Sequence, residues 1–188
     1  MATSKNNLLT HGLSGTVGDL LVFRNKGGQV IVASKPKERT SDYTEAEKSQ
    51  HQRFQHATIY GKSAITDPTL KAAYTAAAGE GQSAYNVAVA DFFHAPDIKT
   101  LDLSAYKGNV GDTITIEVTD DFKVAEVEVN IFNADGTVVE QSNAVQNPIN
   151  AIEWIFTAKV ANASVTGDRI EIKAYDLPGN KTVKGENL

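Results

Sequence analysis

The spacing of apolar residues along the chain changes period once, near Pro96. Before that point two near-continuous apolar runs, Val17–Arg24 and Gln29–Ser34, flank Asn25-Lys26-Gly27-Gly28. Two β-prone runs around a short glycine-containing loop predict a hairpin. Leu20, Leu21, Val22 and Phe23 leave no polar face on the first strand, and Val30, Ile31 and Val32 leave none on the second. A hairpin apolar on both faces is unstable alone in water. These seven residues therefore form a candidate contact surface, to be covered by the helices that follow or by another copy of the chain.

The charged connector Lys35-Pro36-Lys37-Glu38-Arg39 leads to three predicted helices. Thr44 and Glu47 have the spacing of a capping box, and the helix they open runs to about Tyr60 with Phe54, Ala57 and Tyr60 on one stripe. Asp67-Pro68 starts the second, because proline at the first helical position lacks only an N–H that would be unpaired anyway. It ends near Ala78, before Gly79 and Gly81. Ser83 caps the third, which continues to about Phe93 and is dense in Ala84, Tyr85, Val87, Ala88, Val89, Phe92 and Phe93.

Beyond Pro96 apolar residues recur at every second position, the period of a half-buried strand. Strands are predicted near 98–103, 113–119, 124–132, 137–141, 152–158, 169–175 and 181–184. Ile114, Ile116 and Val118 alternate with polar residues, as do Val127, Val129 and Ile131. Asn133-Ala134-Asp135-Gly136 and Asp176-Leu177-Pro178-Gly179-Asn180 supply turns. Several short strands with regular turn signals are the pattern of an immunoglobulin-like sandwich, in which Trp154, the only tryptophan, belongs to the core. The fold class is thus α+β: an N-terminal β-hairpin and three-helix module over 1–96, then an all-β immunoglobulin-like sandwich over 97–188.

Charge supports that division. Residues 1–96 carry net +2 and residues 97–188 net −7, together the −5 of the chain. An acidic second half argues against nucleic acid as a partner, and opposite halves permit a weak, salt-screened attraction between copies. With no cysteine, disulfides, thiolate metal sites and cysteine nucleophiles are excluded. No stretch approaches the roughly 20 apolar residues of a membrane span, so no membrane insertion is expected. The first residues, MATSKNNLLTHGLSG, lack the long apolar run and small-residue cleavage pattern of a secretory signal. The localisation stays open on this reading, with a cell-surface, extracellular or virion setting favoured by the sandwich.

Two stretches resemble bacterial immunoglobulin-like domains of surface and fibre proteins. One is Asp120-Asp121-Phe122-Lys123-Val124 with Val127 and Val129, an acidic turn before a strand. The other is Ala174-Tyr175-Asp176-Leu177-Pro178-Gly179-Asn180, a late strand ending in Asp-x-x-Gly-Asn. The resemblance covers about half the chain and implies a spacer, stalk or adhesion module. In the first half, Ser14-Gly15-Thr16-Val17-Gly18, Ser34-Lys35-Pro36 and Gln52-Arg53-Phe54 resemble an uncharacterised family of bacterial proteins, which implies no activity.

Candidate chemistry is sparse. His51 and His56 lie five apart, which places them about 140° from each other around a helix, unlike the i, i+4 pair of a zinc helix. Ser14-Gly15-Thr16-Val17-Gly18 is glycine-rich, but a strand follows it where a phosphate loop requires a helix. Asp120, Asp121, Asp176 and Asn180 are the best oxygen ligands for a calcium ion between two turns, yet the same residues suit turn backbones by themselves, and no complete ligand loop is present. There is no GxSxG and no Ser/His/Asp motif. An unrecognised enzyme would need a deep pocket near His94 and Asp97. The reading is a non-catalytic structural subunit without cofactor or resident metal, self-assembling into a filament, surface fibre or phage-like particle, by β-strand addition in one version. The alternative is an immunoglobulin-like binding or adhesion module for a glycan or protein.

Overall fold

The computed structural model describes residues 2–4, 10–26 and 28–188. It has three helices and three four-stranded antiparallel sheets: an N-terminal sheet, then the helices, then two sheets packed as a sandwich. The fold is α+β.

The N-terminal sheet has the order β1-β4-β3-β2, from β1 (Ala2–Ser4), β2 (Gly15–Val17), β3 (Leu21–Lys26) and β4 (Gln29–Ser34). The predicted hairpin is β3–β4, with Lys26 opposite Gln29. Gly27 of its loop lies outside the described residues. The run expected as one strand from Val17 is broken: Gly18 takes φ +56°, a left-handed conformation costly for other residues, and the chain turns through Gly18-Asp19-Leu20 so that Val17 comes to pair with Leu21.

The capping box is present. Thr44 precedes α1 (Glu45–Ala64), accepts from the Glu47 N–H, and donates its own N–H to Glu47 Oε2 at 2.9 Å. The helix runs four residues past Tyr60, because Gly61 and Ala64 are small enough to be buried against α3 (Ala84–Asp91). Asp67 caps α2 (Pro68–Ala77) through bonds to Thr69 and Leu70 N–H. Ser83 caps α3, which ends two residues before the expected Phe93 in a tight turn through Phe92 and Phe93.

The sandwich pairs β5 (Asp97–Asp102), β6 (Thr113–Thr119), β10 (Glu153–Thr157) and β9 (Val145–Gln146) in one sheet. The other contains β12 (Lys181–Asn187), β11 (Arg169–Asp176), β7 (Val124–Phe132) and β8 (Val138–Asn143). The alternation in the sequence maps onto burial. Ile114, Ile116 and Val118 of β6, Val127, Val129 and Ile131 of β7, and Ile170 and Ile172 of β11 are all in the core between the sheets. Trp154 and Phe156 of β10 join them. The two-residue β9 is an addition to the expected seven strands; it is too short to show any period of its own.

Candidate functional site: an apolar sheet and a buried acidic joint

Antiparallel partners share a face of a sheet, and faces alternate along each strand. In the N-terminal sheet Phe23 pairs with Val32, Leu21 with Val17 and Asn25 with Val30, so Val17, Leu21, Phe23, Val30 and Val32 stand on one face. Val22, Arg24, Ile31 and Ala33 stand on the other, with Thr16 beside Val22. Of the seven residues singled out from sequence, six lie in β3 and β4, while Leu20 sits in the turn before β3. Val30 is buried, and Val22, Phe23, Ile31 and Val32 are half-buried. Leu20 is 77% exposed, Val17 57% and Leu21 40%.

Cover by the helices, one of the two expected arrangements, is not what the described residues show. Neither the sandwich core nor the helical cluster includes a residue of this sheet. The extensive packing of β1–β4 is with one another. Between the sheet and the helices, residues 35–44 form no helix or strand and are exposed throughout, and Arg39 grips the Glu47 carboxylate of the α1 cap at 2.7 and 2.8 Å.

The helices instead join the sandwich through a buried polar chain. Tyr60 of α1 lies 2.8 Å from the Tyr74 hydroxyl of α2, and Tyr74 donates to Asp91 Oδ2 of α3 at 2.6 Å. Since the Tyr74 proton goes to the carboxylate, Tyr60 is the donor in their pair. Tyr74 stacks on Phe122, which lies in the turn between β6 and β7 and packs with the helical cluster. Asn180, between β11 and β12, donates its amide to the Phe92 and His94 carbonyls at 3.1 and 3.2 Å. Thr182 donates to the carbonyl of Pro96. Across the outer edge of this joint His94 Nδ1 lies 2.6 Å from Asp121 Oδ2.

Asp91 is 2% exposed and Asp176 3%. Burial above all pushes the Asp91 carboxyl up to about 6; the Tyr74 hydrogen bond, the next largest influence, pulls it down, and repulsion from Asp120, Asp176 and Asp121 adds to the rise. Burial likewise raises Asp176, although Asn180 bonds both its oxygens. Burial raises Tyr74 and Tyr60 above the ordinary phenol range. Oδ1 of Asp91 and Oδ1 of Asp120 are both buried and without a hydrogen-bond partner.

The four oxygen-ligand candidates sit at this end of the sandwich with separate tasks. Asp120 Oδ2 accepts from the Phe122 and Lys123 N–H groups of its own turn. Asp121 pairs with His94, and Asp176 is held by Asn180. Among the described residues no three His, Asp or Glu side chains stand together so as to hold a metal ion. His51 and His56 are exposed, His51 edge-on to the Tyr43 ring. The groove beside the joint is lined by Val118, Asp120, Phe122, Val124, Gln146 and Ile152, with no histidine. Sequence reasoning missed Asp91. Its signal was a lone acid in the otherwise apolar Val-Ala-Asp-Phe-Phe run, which a helix must bury or end on.

No family model matches the chain, and no curated protein matches it. Solved structures similar to part of it include the following two. CopC from Methylosinus trichosporium OB3b is 14% identical, with a TM-score of 0.35 over 50% of this chain and 98% of CopC. An engineered protein is 16% identical, with a TM-score of 0.32 over 57% of this chain and 30% of its own.

Proposed function

We propose that the protein is a non-catalytic structural subunit that self-assembles into a filament, surface fibre or phage-like particle, with an immunoglobulin-like sandwich as its body. The observation that carries this reading is the N-terminal sheet, whose apolar face bears Val17, Leu21 and Phe23 and is covered by neither the helices nor the sandwich among the described residues. A small sheet of this kind gains stability when a partner removes its face from water, at about 25 cal/mol per Å² of apolar surface. A second copy supplies a self-consistent partner. The sheet's half of the chain carries net +2 and the sandwich half net −7, so a head-to-tail contact is attractive and, being heterologous, propagates. Edge strands β12 and β8 carry exposed Val183 and Val138, which suit strand addition.

A second reading, a binding module for a protein ligand, is favoured by a different observation. Ile149 is 95% exposed in the loop between β9 and β10, near exposed Val145 and Ile152. The two readings part in one experiment: negative-stain electron microscopy of the purified chain, with light scattering over a concentration series. Fibres, rings or large oligomers are the expected result. A strict monomer of 20.2 kDa at high concentration sinks the assembly reading and turns the search to ligands of the Ile149 loop.

A further inference from the structure

We infer that Asp91 is a proton-operated latch between the helices and the sandwich: as the neutral acid it closes the joint, and as the carboxylate it loosens it. The inference is independent of whether the chain assembles.

The geometry sets up the problem. Asp91 is the last residue of α3, where the helix carbonyls present the negative end of the macrodipole. Its Oδ2 has one donor, Tyr74, and its Oδ1 has none in a site closed to water. Every titratable group named against it is neutral or acidic. From α1 comes Tyr60 and from α2 Tyr74; from the β6–β7 turn come Asp120 and Asp121, and from β11 Asp176. Among the described residues no Lys or Arg pairs with Asp91, Asp120 or Asp176; the one nearby imidazole, His94, is engaged with Asp121. An ionised carboxylate in such a place is penalised three times: by desolvation, by like charge and by the helix end.

A proton on Oδ1 removes all three penalties. It also turns an orphaned acceptor into a donor at a joint whose other acids, Asp120, Asp121 and Asp176, offer only acceptors. Oδ2 remains free to accept from Tyr74, so the Tyr60–Tyr74–Asp91 chain persists in the neutral form. That chain ties all three helices together and presents Tyr74 to Phe122. The upward displacement of the Asp91 carboxyl from 3.8 to about 6 agrees in direction with this arrangement. A group raised in the closed state contributes stability that is complete below its free value and is lost as pH rises through the raised one. The helices therefore dock firmly in mildly acidic surroundings and sit looser above neutrality.

Hydrogen-exchange protection of the full-length protein, resolved by residue, tests this. Protection factors of α2 and α3 amides are expected to fall about tenfold between pH 5 and 7.5, the change linked to that displacement, while those of the β7 and β11 core strands do not follow. In Asp91→Asn, which keeps an acceptor for Tyr74 and supplies a permanent donor, the step disappears. In His94→Gln it remains. Equal protection at both pH values overturns the latch, as does a step that survives in D91N or vanishes in H94Q. Calcium at fixed pH 7.5 serves as a further arm: protection that rises with it in the wild type but not in D91N assigns the joint to a cation and overturns the proton. Should D91N fail to fold, the carboxyl carbon resonance of Asp91 in the wild type decides, with a midpoint near 6 expected and one below about 4.5, in the ordinary carboxylate range, overturning the inference.

Discussion

Tyr74 and Phe122 meet face to face with ring centroids 4.1 Å apart, and this stack is where the helical segment grips the sandwich. Tyr74 is completely buried although its hydroxyl is polar, because Asp91 and Tyr60 satisfy it. Phe122 reaches it from a turn whose backbone is fixed by Asp120, so the contact is preorganised on the sandwich side.

Phe122→Ala should therefore detach the helices without unfolding the sandwich. Removing a half-buried ring from such a stack costs about 1–3 kcal/mol. Trp154 in the sandwich core reports that body by fluorescence, and far-ultraviolet dichroism reports the helices. In urea the dichroism transition should move to lower denaturant while the fluorescence transition stays. A common shift of both would mean that helices and sandwich unfold as one unit.

Within the sandwich, Ile172 is fully buried between β7 and β12. Ile172→Ala is expected to cost about 2–5 kcal/mol through lost transfer energy and the cavity left behind. Ile149→Ala, at a side chain already in solvent, should stay within about 0.5 kcal/mol. Both are read from the Trp154 fluorescence midpoint. If the Ile149 change matched the Ile172 change, that loop would carry a packing role that its exposure denies.

The sandwich was legible in the sequence because its strands face two different environments. Ile114, Ile116 and Val118 alternate with threonine and glutamate, and that period survives any detail of packing. The caps of all three helices were equally plain, since Thr44, Asp67 and Ser83 act on N–H groups two or three residues away. The break in the first apolar run was not, because Val17 and Leu21 look like one strand until Gly18 takes its positive φ. Nor was the joint. Tyr60, Tyr74, Asp91 and Phe122 come from four separate segments, and only the tertiary fold brings them together. The apolar character of β3 and β4 was visible, but whether helices would cover it depended on a connector with no periodic signal.

Gly61 is a glycine inside α1 whose missing side chain is used. A Cβ built there would stand 2.7 Å from Val89 Cγ2 and 3.1 Å from the Tyr85 ring. Alanine would gain up to about 1 kcal/mol of helix propensity, but overpacking against a stiff β-branched side chain costs about 1–3 kcal/mol. Gly61→Ala should thus be net destabilising by thermal melting of the helical dichroism. Combining it with Val89→Ala should recover part of the loss, because the closest contact is with that side chain while the Tyr85 ring still crowds the new methyl.

The α1 cap depends on pH in the sense opposite to Asp91. Arg39 first, then the Thr44 N–H and hydroxyl, hold the Glu47 carboxyl down at about 2. A lowered carboxyl contributes stability above its ordinary value of 4.5, and that contribution is lost as pH falls from there toward 2. The pair is exposed, so the effect is modest and salt-screened. Amide exchange in the first turn of α1 should quicken, relative to its intrinsic rate, between pH 5 and 2.5. Glu47→Gln should abolish that dependence, and added salt should diminish it. A pH-independent first turn in the wild type would show that Thr44 alone carries the cap.

The assembly reading has its sharpest test on the face that holds Val17, Leu21 and Phe23. Val17 and Leu21 are opposite each other across β2 and β3 and both reach solvent, so a lysine at either can extend into water without displacing Val30, which is buried on the same face. Leu21→Lys is expected to break oligomers by placing an unpaired charge in a contact that must exclude water. Trp154 fluorescence and the melting of the sandwich should be unchanged, because neither core includes the sheet. Arg24→Glu reverses charge on the opposite face and serves as the counterpart. If Leu21→Lys disperses the particles and Arg24→Glu leaves them intact, the apolar face makes the contact. If both disperse them, the contact is electrostatic in origin. If neither does, copies meet through the sandwich edges at Val138 or Val183, and lysine at those two positions becomes the discriminating pair.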